Sequence, residues 1–251
     1  MTEASQRMPL NVSDVAIVTG AAKRLGRDIS LALANDPGLN IVVHYHRSQE
    51  AAEHVVGDIQ SVGRRAVCVS ADLNQPDTAT STIFAAAATL GPVRVLVNCA
   101  AVFEDRDLVD VDVQHWSAHF TVNALAPLLL TQQFAAQLPH GVTGHVVNIL
   151  DWRATRPPAS HAVYSASKAA LASITRCLAQ QLAPQIQVNA IAPGAILPPP
   201  GRDHWHMQRA ATAIPLQRPG QSADVSNAVV FLVKSGFITG EILHVSGGEQ
   251  L

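Results

Sequence analysis

Thr19-Gly20-Ala21-Ala22-Lys23-Arg24-Leu25-Gly26 follows the apolar run Val15–Thr19 and leads directly into a helical pattern, Arg24–Asn35. A strand that turns into a helix this abruptly leaves backbone N–H groups free at the helix N-terminus. There the helix dipole favours an anion such as a pyrophosphate. Gly20 and Gly26 allow backbone and ligand to approach closely. Two glycines at such a turn also serve simple tight-turn geometry, so the rest of the chain has to decide between the two uses.

Outward from this turn, short β-branched runs alternate with longer alanine- and leucine-rich stretches, the pattern of βαβ units around a parallel sheet. The expected strands are 15–19, 41–46, 66–70, 93–98, 145–150, 187–191 and 242–245. Several are almost unbroken apolar runs, as a sheet buried on both faces requires. Helices are expected at 24–35, 49–61, 77–90, 117–138, 161–182 and 222–234. The fold class that follows is α/β: one doubly wound, Rossmann-type parallel sheet of about seven strands with helices on both faces. No linker or repeat interrupts the pattern, so residues 14–251 read as one domain and residues 1–13 as a flexible arm. Pro127 should kink the helix at 117–138 after Asn123, because proline lacks a backbone donor and crowds the preceding turn. Pro198–Gly201 breaks all regularity, and 202–213 reads as a short lid within a substrate loop spanning about 195–215. Trp152, Trp205, His204 and His206 lie in or near these loops and are given no catalytic role.

Composition excludes several functions. The 251 residues are 48% hydrophobic and only 14% charged, with 17 Lys+Arg against 19 Asp+Glu, a formal charge of 17 − 19 = −2. A chain so balanced carries no electrostatic footprint for nucleic acid or an anionic membrane. The three cysteines, Cys68, Cys99 and Cys177, lie far apart without metal-ligand spacing, so neither a disulfide framework nor a metal site is expected. The polar N-terminus and the absence of a long apolar run suggest a cytoplasmic protein acting on a small molecule.

The second expected strand ends in His44-Tyr45-His46-Arg47-Ser48. A dinucleotide fold that takes NAD places an acid near this point, about 20 residues past the turn, to hold the ribose 2′-hydroxyl. Here a guanidinium and a hydroxyl stand instead, and arginine's planar fork matches phosphate oxygens. A lone arginine at a strand end is more often a solvated charge. The missing acid and the nearby Lys23 and Arg24 favour a 2′-phosphate, hence NADPH.

Tyr164 and Lys168 stand at i and i+4 and share one helix face. Such a pair can be an ordinary surface pair, but its place after the fifth strand, in a chain with the phosphate turn, points to catalysis. An ammonium beside the phenol, with a nicotinamide cation beyond it, is expected to favour phenolate and draw the tyrosine pKa toward working pH.

These elements together resemble the short-chain dehydrogenase/reductase family from Val15 to Gly248. The matching residues are the Thr19–Gly26 turn, Asp72, Asn98-Cys99-Ala100-Ala101, Asn123, Tyr164 with Lys168, and Pro193-Gly194. The resemblance implies a cofactor site built from Gly20, Lys23, Arg24, Leu25, Gly26, His46, Arg47, Ser48, Asp72, Leu73, Asn98, Ala100, Tyr164, Lys168, Pro193, Gly194 and Ile196. Asp72 would sit near the adenine, Asn98 would support the cofactor loop, and Lys168 would hold the nicotinamide ribose. Asn123 would serve a proton relay, and Pro193-Gly194 would flank the carboxamide. The apolar, alanine-rich faces of the helices at 117–138 and 161–182 go, in this family, with a homotetramer or homodimer.

The departures from the family pattern are informative. Arg24 replaces the usual middle glycine of the first turn, and Asp151 replaces the catalytic serine at 164 − 151 = 13 residues before the tyrosine. A serine hydroxyl can donate to a carbonyl, whereas an ionised aspartate can only accept. Arg24, the His44–Ser48 segment, Asp151 and Phe103 together resemble the pteridine reductases, including bacterial dihydromonapterin reductases. That resemblance implies catalysis by Asp151, Tyr164, Lys168 and Asn123, and a pterin site of Arg24, Phe103, Asp151 and Tyr164. Phe103 would stack on the pterin, or else anchor its own loop. Asp151 would face the substrate, accepting from a ring N–H or donating a proton when neutral, or else cap the loop before Arg153. The expected reaction is hydride transfer to a pterin C=N bond, with dihydrofolate as a further substrate. A carbonyl reductase of the same family and a non-catalytic NADP(H)-sensing module are the competing readings.

Overall fold

The computed structural model describes residues 9–198, 212 and 214–251. Seven strands, β1 (Val15–Val18), β2 (Asn40–Tyr45), β3 (Ala66–Ser70), β4 (Val93–Asn98), β5 (Gly144–Ile149), β6 (Ile186–Pro193) and β7 (Ile242–Val245), form one sheet in the order β3-β2-β1-β4-β5-β6-β7. Every pairing is parallel, with Ala16 opposite Ile41 on one side and Val95 on the other. The helices are α1 (Arg24–Asn35), α2 (Gln49–Ser61), α3 (Pro76–Ala88), α4 (Val113–Phe120), α5 (Ala126–Gln137), α6 (Ala162–Leu182) and α7 (Ser222–Lys234).

Strand alternation divides the core into two layers. Ala16 and Val18 point to the face covered by Ile29 and Leu33 of α1, Val55 and Ile59 of α2, and Val229 and Leu232 of α7. Val15 and Ile17 point to the opposite face, beneath Ile83 of α3, Leu130 and Phe134 of α5, and Leu178 of α6. Each of these large apolar side chains contributes about 1.5–3 kcal/mol by leaving water. Because both faces are covered, the strands need unbroken apolar runs, which is how they were legible.

The expected helix at 117–138 needs correction. The single helix at 117–138 is α4, a π-helical turn at Thr121–Leu125, and α5. It begins at Val113 because the Asp112 carboxylate caps it, accepting the His115 N–H at 2.6 Å. The kink expected from Pro127 takes the form of that wide turn, in which the Ala126 N–H reaches back to the Thr121 carbonyl. At residues 11–14, Asp14 accepts the Asn11 N–H at 2.8 Å and pairs with buried Arg94 at 3.5 Å, while Asn40 Nδ2 donates to the Val12 carbonyl at 3.3 Å. Residues 1–8, most of the expected lid, and Trp205, His204 and His206 lie outside the described residues.

The chain runs from β1 outward to β3, then returns to the other side of β1 for β4. Loops after these two strands therefore diverge, opening a crevice at the carboxyl ends of the strands.

Candidate active site

A cavity of about 670 Å³ fills that crevice. Its walls come from the turn after β1, the ends of β2 and β3, and the loops after β4, β5 and β6. Each sheet strand thus delivers a few side chains to one place.

The turn after β1 needs its glycines for space. Gly20 has φ +65°, and a Cβ there would lie 3.0 Å from the Ala100 Cα. A Cβ on Gly26 would lie 2.3 Å from the Gly20 carbonyl oxygen, so the first turn of α1 could not pack on the loop. Thr19 Oγ1 accepts the Cys99 and Ala100 N–H groups at 2.9 and 3.0 Å and ties the two loops together. Arg24, in the place of a glycine, has φ +54°, a left-handed conformation costing an arginine roughly 1–2 kcal/mol. Its Nη2 donates to the Pro198 carbonyl at 2.7 Å, bringing the start of the expected substrate loop to the turn.

Of the expected cofactor residues, Gly20, Lys23, Arg24, Leu25, Gly26, His46, Asp72, Leu73, Ala100, Tyr164, Lys168, Pro193, Gly194 and Ile196 line the cavity. Arg47 is exposed and Ser48 half-buried beyond the end of β2, and neither belongs to the wall. Asn98 is buried beneath it, with Nδ2 donating to Asn148 Oδ1 at 2.8 Å. Asp72 faces His46 at 3.8 Å, and hydrogen bonds from the Asn74 N–H and side chain hold its carboxyl below the ordinary range. Asn123 also stays behind the wall. Its Nδ2 donates to the Val102 carbonyl and to Ser167 Oγ, both at 3.0 Å, and its Oδ1 accepts the Val102 N–H at 2.8 Å.

The catalytic candidates converge. Tyr164, 5% exposed, donates its hydroxyl to Asp151 Oδ2 at 3.1 Å. Asp151 Oδ1 accepts the Arg153 N–H at 2.9 Å, so the carboxylate caps the short turn Trp152–Ala154 and faces Tyr164 at once. Capping the turn therefore leaves Asp151 on the cavity wall, in contact with Tyr164. Phe103 meets Tyr164 edge to face at 4.7 Å and stacks on His161 at 4.8 Å, yet remains 37% exposed along the cavity.

Electrostatics within the folded chain hold the Tyr164 phenol protonated. Burial, followed by the Asp151 charge and hydrogen bond, pushes the Tyr164 hydroxyl well above its ordinary value. It is a phenol here, not a phenolate. Lys168 donates from Nζ to the Ile149 carbonyl at 2.7 Å, and burial draws its ammonium down to about 8. Burial also pushes the Cys99 thiol up to about 11, so it is a neutral wall residue.

Three contributors were missed in the sequence reading. Arg153 pairs with Asp151 through Nη1 at 3.1 and 3.2 Å to its two oxygens. Glu249, after β7, accepts the Ala195 N–H at 2.9 Å on the far wall, where burial raises its carboxyl. His44 spans the base of the turn, accepting the Gly20 N–H on Nδ1 at 3.1 Å with Nε2 3.1 Å from the Ala71 carbonyl. For His44 a signal existed, since a histidine inside an apolar strand needs two polar partners. For Glu249 and Arg153 there was none.

Among the described residues, no helix is long and apolar enough to cross a membrane, and no group of three or more His, Cys, Asp or Glu side chains could hold a metal ion.

Comparison with known proteins agrees with this geometry. Residues 14–208 match the family model described as short chain dehydrogenase. An uncharacterized oxidoreductase of Methylorubrum extorquens is 37% identical over 244 residues, covering 94% of this chain and 97% of that one. The 3-oxoacyl-[acyl-carrier-protein] reductase FabG of Staphylococcus aureus is 32% identical over 247 residues, 96% of this chain and all of that one. Among solved structures, FolM alternative dihydrofolate reductase 1 from Brucella suis, crystallised with NADP, superposes with a TM-score of 0.90 at 34% identity, covering 96% of each chain. With the parallel sheet, the glycine turn and the Tyr164/Lys168 pair in one crevice, these matches place the chain in the short-chain dehydrogenase family of oxidoreductases.

Proposed function

We propose that this chain is an NADPH-dependent reductase acting on a C=N bond of a pterin, taking a dihydropterin to the tetrahydro level, with dihydrofolate as a further substrate. The observation that carries the reading is the Tyr164–Asp151 hydrogen bond beside the half-exposed ring of Phe103. A flat heterocycle with ring N–H groups needs an aromatic face and an acceptor, and this wall offers both. The NADP-bound Brucella FolM structure supports the same reading.

The residues present fit the cofactor. The backbone N–H groups at the N-terminus of α1 suit its pyrophosphate, Asp72 and Leu73 its adenine, and Lys168 its nicotinamide ribose. His46, Arg47 and Ser48, at the end of β2 where an NAD-binding fold carries an acid, suit a 2′-phosphate. When bound, NADPH supplies the hydride, which goes to the ring carbon of the C=N bond. The protein supplies the proton for the neighbouring nitrogen. Tyr164 keeps that proton because burial and Asp151 disfavour its release. A substrate N–H accepted by Asp151 displaces the phenol and frees it to donate to the reducible nitrogen. Exposed Leu108, Val109, Val113, Trp116 and Leu125 around α4 support self-association into a homodimer or homotetramer in the cytoplasm.

Ketone reduction is the second reading, favoured by the similarity to FabG. NADPH consumption with dihydropterins, dihydrofolate and a ketone panel decides. Turnover of a dihydropterin supports the proposal, and turnover of ketones alone overturns it. Tight NADPH binding with no oxidation by any substrate would identify a sensing module instead.

A further inference from the structure

The guanidinium of Arg153 has more donors than its surroundings use. Arginine carries five N–H groups. In this site Nη1 alone faces Asp151, at 3.1 and 3.2 Å from the two carboxylate oxygens, rather than the two-nitrogen fork arginine usually offers a carboxylate. Nε is buried with no partner, and Nη2 has no hydrogen-bond partner among the described residues. An unsatisfied buried donor costs about 1–3 kcal/mol, so native proteins rarely leave one without a use.

Nor is this side chain loose. The Arg153 backbone N–H is tied to Asp151, and its guanidinium carbon lies 4.9 Å from the Trp152 ring centroid and 5.9 Å from that of Phe103. It is 24% exposed and lines the cavity beside Phe103, Asp151 and Tyr164. The carboxylate of Glu249, across the same cavity, forms no ion pair with it within 4.0 Å and is engaged by the Ala195 N–H. A held cation with spare N–H groups, next to the proton donor, is a ready site for a substrate oxygen.

We propose that Arg153 is a substrate-binding residue of this site, whose unused N–H groups donate to an oxygen of the molecule being reduced. This rests on the pterin reading. With Asp151 it forms an adjoining acceptor and donor, so the wall recognises ring N–H and oxygen together. The oxygen has two possible sources: the ring carbonyl common to all pterins, or the side-chain carboxylate that only a folate carries.

The test uses the full chain with NADP+ bound, and measures dissociation constants for a dihydropterin with a neutral side chain and for dihydrofolate, alongside KM and kcat. The variants are Arg153→Met and Arg153→Lys, with NADPH affinity and thermal unfolding as controls of folding. Tenfold or greater weakening of both ligands in R153M, with partial recovery in R153K, supports contact with the ring oxygen. Weakening confined to dihydrofolate supports contact with the carboxylate. If R153M does not fold, R153K decides, because a compact ammonium cannot hold Asp151 and a substrate oxygen as the guanidinium does, and at least threefold weakening is expected. If the parent turns over dihydropterin and the variants lose kcat with both dissociation constants unchanged, Arg153 only supports Asp151 and the inference is overturned alone. A parent that neither binds nor reduces either compound overturns the inference and the pterin reading together.

Discussion

His44 Nδ1 accepts the Gly20 N–H at 3.1 Å, so the phosphate-binding turn is held from below by a neutral imidazole. The same ring reaches the Ala71 carbonyl through Nε2 at 3.1 Å, which assigns its one proton to Nε2. Burial pulls the His44 pKa down to about 4, from an ordinary value of 6.5. Its contribution to stability is therefore full above pH 6.5 and is lost as pH falls toward 4, because only the unfolded chain takes up the proton in that window. Urea unfolding from pH 7 to 4.5 should show a loss of up to about 3 kcal/mol from this group. His44→Asn, which keeps an acceptor for Gly20, should be less stable at pH 7 and lack this part of the slope. Identical slopes for parent and variant would assign the acid sensitivity elsewhere.

Lys168 titrates in the opposite part of the range. Below about pH 8 the folded protein buries its charge; above that the charge is lost, while the unfolded lysine keeps it to 10.5. The burial penalty is thus full below pH 8 and fades toward 10.5, so stability from this group rises with pH. Activity should run the other way. If a cationic Lys168 holds the nicotinamide ribose, kcat/KM for NADPH in the parent should fall above about pH 8. Tyr164, held well above its ordinary value, cannot produce that limb. A profile flat to pH 9.5 would show that the neutral amine suffices.

Tyr164 and Asp151 divide the proton chemistry. Tyr164→Phe keeps the ring contact with Phe103 and removes the donor, so kcat should fall by about two orders of magnitude or more while NADPH affinity holds. Asp151→Ser replaces a charged, two-oxygen acceptor by one hydroxyl, which can cap the turn but cannot also hold Tyr164, the Arg153 guanidinium and a substrate N–H. Dihydropterin reduction should drop strongly, and weak ketone reduction should emerge, since a carbonyl needs a donor where the pterin needs an acceptor. Steady-state rates with both substrate classes check this. A serine variant as fast on dihydropterin as the parent would return the lead to ketone reduction.

Arg47 is the residue to change for cofactor choice. It is exposed beyond β2, free to close on a 2′-phosphate. Arg47→Asp replaces the phosphate fork with a like charge and should weaken NADPH by about 1.5–3 kcal/mol while NADH gains in relative terms. Dissociation constants for both cofactors measure this directly. An unchanged NADPH preference would move the role to His46 or Lys23.

The strands and helices were legible because their information is local. Unbroken runs such as Val93–Asn98 mark a doubly covered sheet, and the 3.6-residue spacing of Ile29 and Leu33 marks a helix face. The glycine turn and the Tyr164/Lys168 pair were legible for the same reason, each being set by spacing within a few residues. Where the chain folds back on itself, local information ends. That α4 begins at Val113 depended on a side-chain cap, and the bend before Pro127 became a π turn in a segment anchored by Asn123 to Val102 and Ser167. Glu249 reaches the site only because β7 pairs with β6, bringing it against Ala195, 54 residues earlier in the chain. The state of Tyr164 could not be read from its lysine four residues on, because desolvation and the Asp151 charge dominate, and both arise only when the folded core excludes water.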